Sequence, residues 1–185
     1  MLEGVVEDLK LPLPPLVDSE GEVPLAGPIE RESTQRTARR AIEVLLNANE
    51  GFVDVQGKRQ ALAVAFAIAG KIVYGKAFDI ARVAKGVDVD LNDPNSIGAH
   101  MKDITLYEVK STNRTAIEKD FEGYFFSMST AELLVAQSLG DQFKFMFVNV
   151  ETGHRKEMSL RDIYRQARAI YPVWSISLGK AHSSA

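Results

Sequence analysis

The spacing of apolar residues predicts two helices in the first half of the chain. The first begins near Ser33–Thr34, carries apolar residues at helical intervals and ends at the polar residues before Gly51. The second runs from about Gly57 to Ile72, and Gly70 weakens its end. Because its apolar residues lie on all sides rather than along one stripe, this second helix is expected to be buried.

Three segments have the composition of β-strands. Ala77–Val83 alternates over a short length, Asp103–Lys110 is rich in β-branched and aromatic residues, and Phe143–Val150 is almost continuously apolar. The last pattern is typical of a strand in the interior of a sheet. Tyr124–Phe126 and Ile170–Leu178 are candidates for further short strands.

Two more helices are marked by their first residues. Ser129-Thr130-Ala131-Glu132 has the pattern of a capping box, so Glu132 is predicted to be a capping residue rather than a ligand, and the helix should end at Gly140. Ser159–Ala169 is predicted to form the last helix. Ala84–Met101 is predicted to be a polar connection with a turn at Asp93-Pro94-Asn95.

The elements follow the order helix, helix, strand, strand, helix, strand, helix, strand. That order predicts an α/β fold, with a mixed central β-sheet flanked by helices. The chain has 185 residues, 45% hydrophobic and 25% charged, which suits one domain with a full core. Five of the seven prolines fall in Met1–Pro28. We therefore predict a proline-rich N-terminal arm at 1–30, a single domain at 31–178 and a C-terminal tail at 179–185.

Composition narrows the chemistry. The chain has no cysteine, which excludes disulfides, thiolate nucleophiles and Cys-based zinc sites, and its three histidines have no metal-binding spacing. A net charge of −3 does not suit bulk electrostatic coating of nucleic acid, although a locally basic cleft is compatible with it. The longest apolar stretch, Ala61–Gly70, is too short to span a bilayer, and the N-terminus is acidic rather than basic. We expect a cytoplasmic protein with no membrane partner.

The most informative triplet is Glu108-Val109-Lys110. Positions two apart on a strand point to the same face, so the carboxylate and the ammonium should project together from the end of an apolar strand. Both ions lose water on burial, which is costly without a reason. The triplet alone is weak, because Asp8-Leu9-Lys10 repeats it in the arm and a surface ion pair would also explain it.

Asp79 supplies a second carboxylate from a neighbouring candidate strand. Two carboxylates on adjacent strands are a minimal cage for Mg²⁺, which takes few protein oxygens and keeps several waters. Such an ion would activate a water molecule towards a phosphate, and Lys110 would hold the nucleophile or offset charge on the phosphoryl oxygens. Asp79 is preferred because its flanks are apolar. The rival acids on the way to Glu108 are Asp88, Asp90, Asp93 and Asp103.

The segments AFDI around Asp79 and EVKST at Glu108–Thr112, followed by a capped helix and an aromatic strand, resemble the PD-(D/E)xK nuclease superfamily. The resemblance covers roughly residues 41–150, although the gap between Asp79 and Glu108 is long for the family. It implies a restriction-endonuclease-like fold and a metal-dependent DNA endonuclease of restriction or phage-defence type. It further implies Asp79, Glu108 and Lys110 as catalytic residues, and Asp79, Glu108 and Val109 as ligands of Mg²⁺, for which Mn²⁺ could substitute.

Double-stranded DNA is the substrate that the resemblance implies, and cleavage of both strands by so small a chain favours a homodimer. Glu43, Ser111 and Gln137 are accessory candidates, although a solvent-facing role or a turn explains each of them as well. The alternatives are a non-catalytic DNA- or protein-binding domain of the same fold, or an unrelated α/β domain. Two groups of basic residues could contact phosphates, or could simply be charged helix surfaces. They are Arg36, Arg39, Arg40, Lys58 and Arg59, and Arg155, Lys156, Arg161, Arg165 and Arg168.

Overall fold

A five-stranded sheet forms the centre of the computed structural model, which describes residues 28–171, with side chains from residue 36 onward. The strands are β1 (Phe52–Asp54), β2 (Ile80–Val83), β3 (Ile104–Thr112), β4 (Phe143–Asn149) and β5 (Arg155–Met158), side by side in chain order. The helices are α1 (Pro28–Leu46), α2 (Arg59–Ile68), α3 (Pro94–Ala99), α4 (Thr130–Leu139) and α5 (Leu160–Gln166). The pair β3–β4 is parallel, and the other pairs are antiparallel. The mixed sheet with flanking helices confirms the predicted α/β class.

Helices cover both faces of this sheet. On one face, α2, α3, α4 and α5 enclose the larger core, in which Phe143, Phe145 and Phe147 of β4 are buried. On the other face, Ala41 and Leu45 of α1 pack against alternate residues of β3 and β4. Because strand residues alternate between faces, the position of a β3 side chain in the sequence decides which core it joins. None of the helices within residues 28–171 is long and apolar enough to cross a membrane.

The second half of the domain follows the sequence predictions closely. β3 and β4 occupy the predicted segments, with β3 extending to Thr112. The helix α4 starts after Ser129 with both hydrogen bonds of the predicted capping box, and Gly140 is its C-cap. These elements were predictable because their apolar content and their end signals agree.

The first half required four corrections. The second helix ends at Ile68 rather than Ile72, and it is not buried on all sides, because Val64 and Ile68 are exposed. The first helix begins at Pro28 rather than near Ser33–Thr34, since the fixed φ of proline suits the first helical turn. The predicted strand over Ala77–Val83 is formed only by Ile80–Val83. The predicted turn at Asp93 is the start of α3, where the Asp93 carboxylate accepts hydrogen bonds from the amides of Asn95 and Ser96.

Two strands were not predicted, and one predicted strand is absent. β1 has three residues and β5 is polar, so neither gives a periodic signal. Tyr124–Phe126 is irregular rather than a strand, because its aromatic rings pack against Phe147 from a loop. The candidate strand at Ile170–Leu178 lies almost entirely outside the described residues, as do the C-terminal tail and most of the N-terminal arm.

Candidate active site

Glu108 and Lys110 lie side by side on β3, on the face covered by α4. They pair across the sheet with Phe145 and Phe147, which belong to the larger core on that face. The ammonium Nζ of Lys110 lies 3.0 Å from Oε1 of Glu108, and the two side chains are only 11% and 12% exposed. The predicted pair is therefore a nearly buried ion pair at an apolar face rather than an exposed edge-strand pair.

Asp79 is held against the same part of β3. It precedes β2 by one residue, and its amide donates to the carbonyl of Tyr107 at 2.8 Å. Its carboxylate Oδ2 accepts from the amide of Val109 at 2.9 Å. These two hydrogen bonds continue the β2–β3 register, in which Ile80 pairs with Tyr107, and so bring Asp79 opposite Glu108.

The rival acids have other roles or positions. Asp93 caps α3, and Asp90 accepts two hydrogen bonds from Asn92 within its own turn. Asp103 lies in the turn before β3, at 4.0 Å from His100, and Asp88 is exposed in the connection. Of the acids weighed from the sequence, Asp79 is the one that bonds to the backbone beside Glu108.

Glu132 completes the cluster, although the sequence pointed only to its capping role. Its Oε2 accepts from Nζ of Lys110 at 2.7 Å and from the amide of Ser129 at 3.2 Å. The capping box is thus confirmed. The same carboxylate also binds the ammonium of Lys110, a contact that the box does not predict. The sequence did contain an indication of this contact. Glu132 lies one helical turn before the buried residues Val135 and Ala136, so it shares the buried face of α4, where a charged side chain needs a partner.

Two carboxylates, those of Glu108 and Glu132, therefore contact the nearly buried ammonium of Lys110, and the carboxylate of Asp79 acts on Glu108 from the neighbouring strand. The pKa of Glu108 is raised to about 8, because burial, with smaller contributions from the charges of Asp79 and Glu132, outweighs the lowering effect of Lys110. Burial alone would lower the pKa of Lys110, but the carboxylates of Glu108 and Glu132 outweigh this effect and raise it. Lys110 is thus kept as a cation, and Glu108 is the carboxyl group whose ionisation is disfavoured.

The donor atoms suit a hard cation. Asp79 and Glu108 offer carboxylate oxygens, and the backbone groups of Val109 face the same side of β3 as those of Tyr107, towards Asp79. Within residues 28–171, no cluster of three or more His, Cys, Asp and Glu side chains has the arrangement of a metal site. An ion held here would rely on two carboxylates, a backbone oxygen and water, as Mg²⁺ often does.

The accessory candidates lie at different distances from this cluster. Glu43 is on α1, across the sheet, and forms an exposed pair with Arg39. Gln137 is exposed on α4. Ser111 follows Lys110 directly, and its carbonyl accepts from the hydroxyl of Tyr124 at 2.6 Å. The backbone of Ser111 therefore lies beside the cluster, but its register with Val148 places its side chain on the other face of the sheet, and Glu43 and Gln137 lie away from the cluster.

An aromatic loop closes the site beyond Lys110. Tyr124 and Phe126 pack against Phe147, the β4 partner of Lys110. The buried side chain of Asn149 donates to the carbonyls of Arg114 and Ile117 and so ties the start of this loop to the end of β4. The packing of these rings and the hydrogen bonds of Asn149 therefore hold the loop against the end of β3 that carries the charged cluster.

Of the ten basic residues named from the sequence, four form ion pairs with acids. Arg39, Arg40, Arg155 and Arg168 form ion pairs with Glu43, Glu151, Glu50 and Glu122, respectively. An open groove of about 460 Å³, lined in part by Arg82, Arg155 and Met146, lies on the α1 side of the sheet rather than at the cluster. These charges favour the interpretation of solvated helix and strand surfaces.

Comparison of the chain with protein-family models, with curated proteins and with solved structures gives no match.

Proposed function

We propose that the chain is a metal-dependent DNA endonuclease of the PD-(D/E)xK type, acting in restriction or phage defence. The observation that carries this proposal is the convergence of Asp79, Glu108 and Lys110 at one point of β3. These are the residues that the sequence pattern predicts as catalytic. Asp79 is far from Glu108 and Lys110 in the sequence, so closeness along the chain does not explain why it lies beside them.

Energetics support a functional interpretation of the cluster. A buried ion pair is weak support for stability, because the loss of hydration offsets much of the attraction. Burial, with smaller contributions from the carboxylates of Asp79 and Glu132, raises the pKa of Glu108 well above its usual range. Such perturbed groups concentrate at functional sites, where the unfavourable charge becomes favourable once a ligand binds.

Asp79, Glu108 and the backbone of Val109 would hold a magnesium or manganese ion. When bound, the ion would polarise the scissile phosphate and lower the pKa of a water molecule. Asp79 is orientated for this role by its bond to the Val109 amide. Lys110 remains protonated, since Glu108 and Glu132 raise its pKa, and can offset the charge that develops on phosphoryl oxygens.

The substrate and the assembly rest on the resemblance. We propose double-stranded DNA as the substrate and a homodimer as the form that cuts both strands, because two sites related by a twofold axis match the two antiparallel strands. The enzyme would work in the cytoplasm. The acidic net charge of −3 means that contacts with the phosphate backbone must come from local groups rather than from the overall field.

Incubation of supercoiled plasmid with the protein and Mg²⁺ tests the proposal. We expect nicked or linear product with Mg²⁺ or Mn²⁺ and none with EDTA. Lys110→Ala and Glu108→Ala should reduce cleavage to background, whereas Glu43→Gln, an exposed acid across the sheet, should cut like the wild type. Intact plasmid with either ion, or equal cutting by the Lys110 variant, would contradict the proposal.

A non-catalytic domain that binds DNA or a protein is the second candidate. It is favoured by the contacts of Lys110, whose ammonium is engaged by two carboxylates, as in a structural ion network. Retarded migration of DNA fragments without cleavage in either ion would support this candidate and exclude the first.

A further inference from the structure

The Glu132 carboxylate has two partners in different parts of the fold. Through Oε2 it accepts from the Ser129 amide at the start of α4 and from Nζ of Lys110 on β3. Its own amide donates to the hydroxyl of Ser129 at 3.2 Å. The carboxylate is therefore orientated by the helix start and extends this fixed position to the lysine.

A capping role alone does not account for this arrangement. Either glutamate or glutamine can occupy this position of a capping box, so the box itself does not require the negative charge. The side chain of Glu132 is only 11% exposed, where an ionised carboxylate needs a counter-charge. Asp162 provides the internal comparison, because it completes the capping box of α5 with Ser159 and forms no ion pair with the cluster.

We propose that Glu132 is a positioning residue that fixes the ammonium of Lys110 in the active site. The inference rests on the proposed function for its catalytic meaning, but the contact itself is independent of it. Of the two anions beside Lys110, Glu108 is the one expected to share its charge with a cation. Glu132 has no such competing role and keeps Lys110 in place whatever Glu108 does.

The position of α4 gives this arrangement its rigidity. Val135, Ala136 and Leu139 anchor the helix in the larger core, so its first turn cannot follow small movements of the Lys110 side chain. A lysine has four rotatable side-chain bonds, and holding its ammonium in one place requires acceptors that are themselves fixed. Second contacts of this kind typically change activity by about 10–100-fold when they are removed.

Three variants separate positioning from capping. Glu132→Gln keeps the capping box and removes the charge that holds Lys110. Ser129→Ala removes the hydroxyl of the box but leaves the Lys110–Glu132 contact, and it should lower the Tm by about 2–4 °C. Asp162→Asn removes the charge of the matching box on α5 and is the control.

The readout that does not depend on cleavage is the lysine ammonium signal in a ¹H–¹⁵N NMR spectrum of the metal-free protein. The Lys110 signal is assigned by its loss in Lys110→Ala. We expect a sharp signal in the wild type, in Ser129→Ala and in Asp162→Asn, because bonded ammonium protons exchange slowly. Glu132→Gln should broaden or abolish it. An unchanged Lys110 signal in Glu132→Gln, or no such signal in the wild type, would overturn the proposal.

Single-turnover cleavage of plasmid gives the second readout. Glu132→Gln should cut about 10–100-fold more slowly than the wild type with unchanged DNA binding, and the two other variants should cut within about threefold of it. A rate for Glu132→Gln close to that of the wild type would overturn the catalytic role. If the wild type does not cut at all, the proposed function fails, while the NMR comparison still decides whether Glu132 fixes Lys110.

Glu132→Asp provides a further test in case Glu132→Gln does not fold. It keeps the negative charge and withdraws it by one methylene. The Lys110 signal and the cleavage rate should then be intermediate between those of the wild type and Lys110→Ala. Wild-type values for both would overturn the proposal.

Discussion

Glu108 is a carboxyl group in surroundings that disfavour its charge. Its side chain is nearly buried beside Phe145, and the carboxylates of Asp79 and Glu132 add repulsion that opposes the attraction of Lys110. Burial is the largest cause of its raised pKa. Near neutral pH the folded protein therefore holds a proton on Glu108 that the unfolded chain has released.

This difference makes stability depend on pH. From the ordinary pKa of 4.5 up to about 8, the folded state binds more protons than the unfolded state, so the free energy of unfolding falls as the pH rises. Glu108→Gln removes the titrating group and should gain stability relative to the wild type between pH 5 and pH 8. Urea unfolding in EDTA at both pH values measures this gain. A constant difference, like that expected for exposed Glu43→Gln, would contradict the raised pKa.

A cation bound at the site should offset the unfavourable negative charge of the carboxylates. An ion that binds only the folded state stabilises it by about 2.7 kcal/mol at 100 times its Kd, which corresponds to a rise in Tm of about 5–10 °C. We expect Mg²⁺ to raise the Tm of the wild type and to have little effect on Asp79→Asn. Asp88→Asn, which alters an exposed rival acid, should respond like the wild type. Equal shifts in the wild type and Asp79→Asn would exclude Asp79 as a ligand.

The sequence predicted the strand pair of the site but not its third acid. Glu108 and Lys110 were predictable because residues two apart on a strand share a face. Asp79 was chosen among several acids from its apolar flanks, and its bond to Val109 agrees with that choice. Glu132 was missed because a complete local explanation, the capping box, accounted for it. Only the packing of α4 on β3 reveals its second partner.

At the scale of elements, the junction between α4 and β4 depends on one glycine. Gly140 ends α4 with a φ of 56° and a ψ of −122°, a conformation that residues with a Cβ rarely adopt. The turn through Gln142 then leads into β4 at Phe143, the strand that supplies the apolar surroundings of the cluster. The capping box at one end of α4 and this glycine at the other fix the helix over the site.

Replacement of Gly140 by alanine isolates the cost of this conformation. Apart from Gly140 itself and its two chain neighbours, no heavy atom lies within 4 Å of the position that a Cβ would occupy, so overlap with packed neighbours adds nothing. We expect a loss of about 1–3 kcal/mol in the free energy of unfolding from backbone strain. Gly98→Ala in α3 is the matched control, with equal space and no left-handed φ, and should stabilise by up to about 1 kcal/mol. Similar effects of the two changes in urea unfolding would show that conformation is not the cause.

The elements that escaped prediction are short or polar. β1 is three residues long, and β5, Arg155–Met158, has the composition of a charged loop. Their backbones become strands because they pair with β2 and β4, and such pairing between distant segments leaves no local signal. The sequence predicts a turn where the short helix α3 begins, because an aspartate followed by a proline is typical of both structures.

At the scale of the whole molecule, the sheet order decides where the chemistry lies. β3 is central, with β2 antiparallel on one side and β4 parallel on the other. This order brings Asp79 to one side of Glu108 and the aromatic core to the other side. The sequence predicted a mixed sheet, but not which strands are neighbours, because pairing depends on the complete set of strands.

The loop that leaves β3 is joined to the end of β4 by Asn149, which is fully buried. Its amide donates to the carbonyls of Arg114 and Ile117, and its Oδ1 accepts from the amides of Glu151 and Thr152. One side chain thus connects the segment beyond the charged cluster with the β4–β5 turn. This connection therefore helps to hold together the ends of the parallel strands β3 and β4, which carry the site.

Asn149→Ala should therefore lower the free energy of unfolding by about 2–6 kcal/mol, from four hydrogen bonds at roughly 0.5–1.5 kcal/mol each. Asn149→Asp separates the two halves of the connection, because it keeps the acceptor for the turn and replaces the donor by an anion facing two carbonyls. Burial and the two facing carbonyl oxygens disfavour this anion and so raise the pKa of the new carboxyl group. The variant should therefore lose stability as the pH rises from about 4 to 7 and recover when it is protonated. Urea unfolding at both pH values measures this. A stability of Asn149→Asp that does not vary with pH relative to Asn149→Ala would mean that the two carbonyls take their hydrogen bonds from water, and that the loop beside the cluster is not held by Asn149.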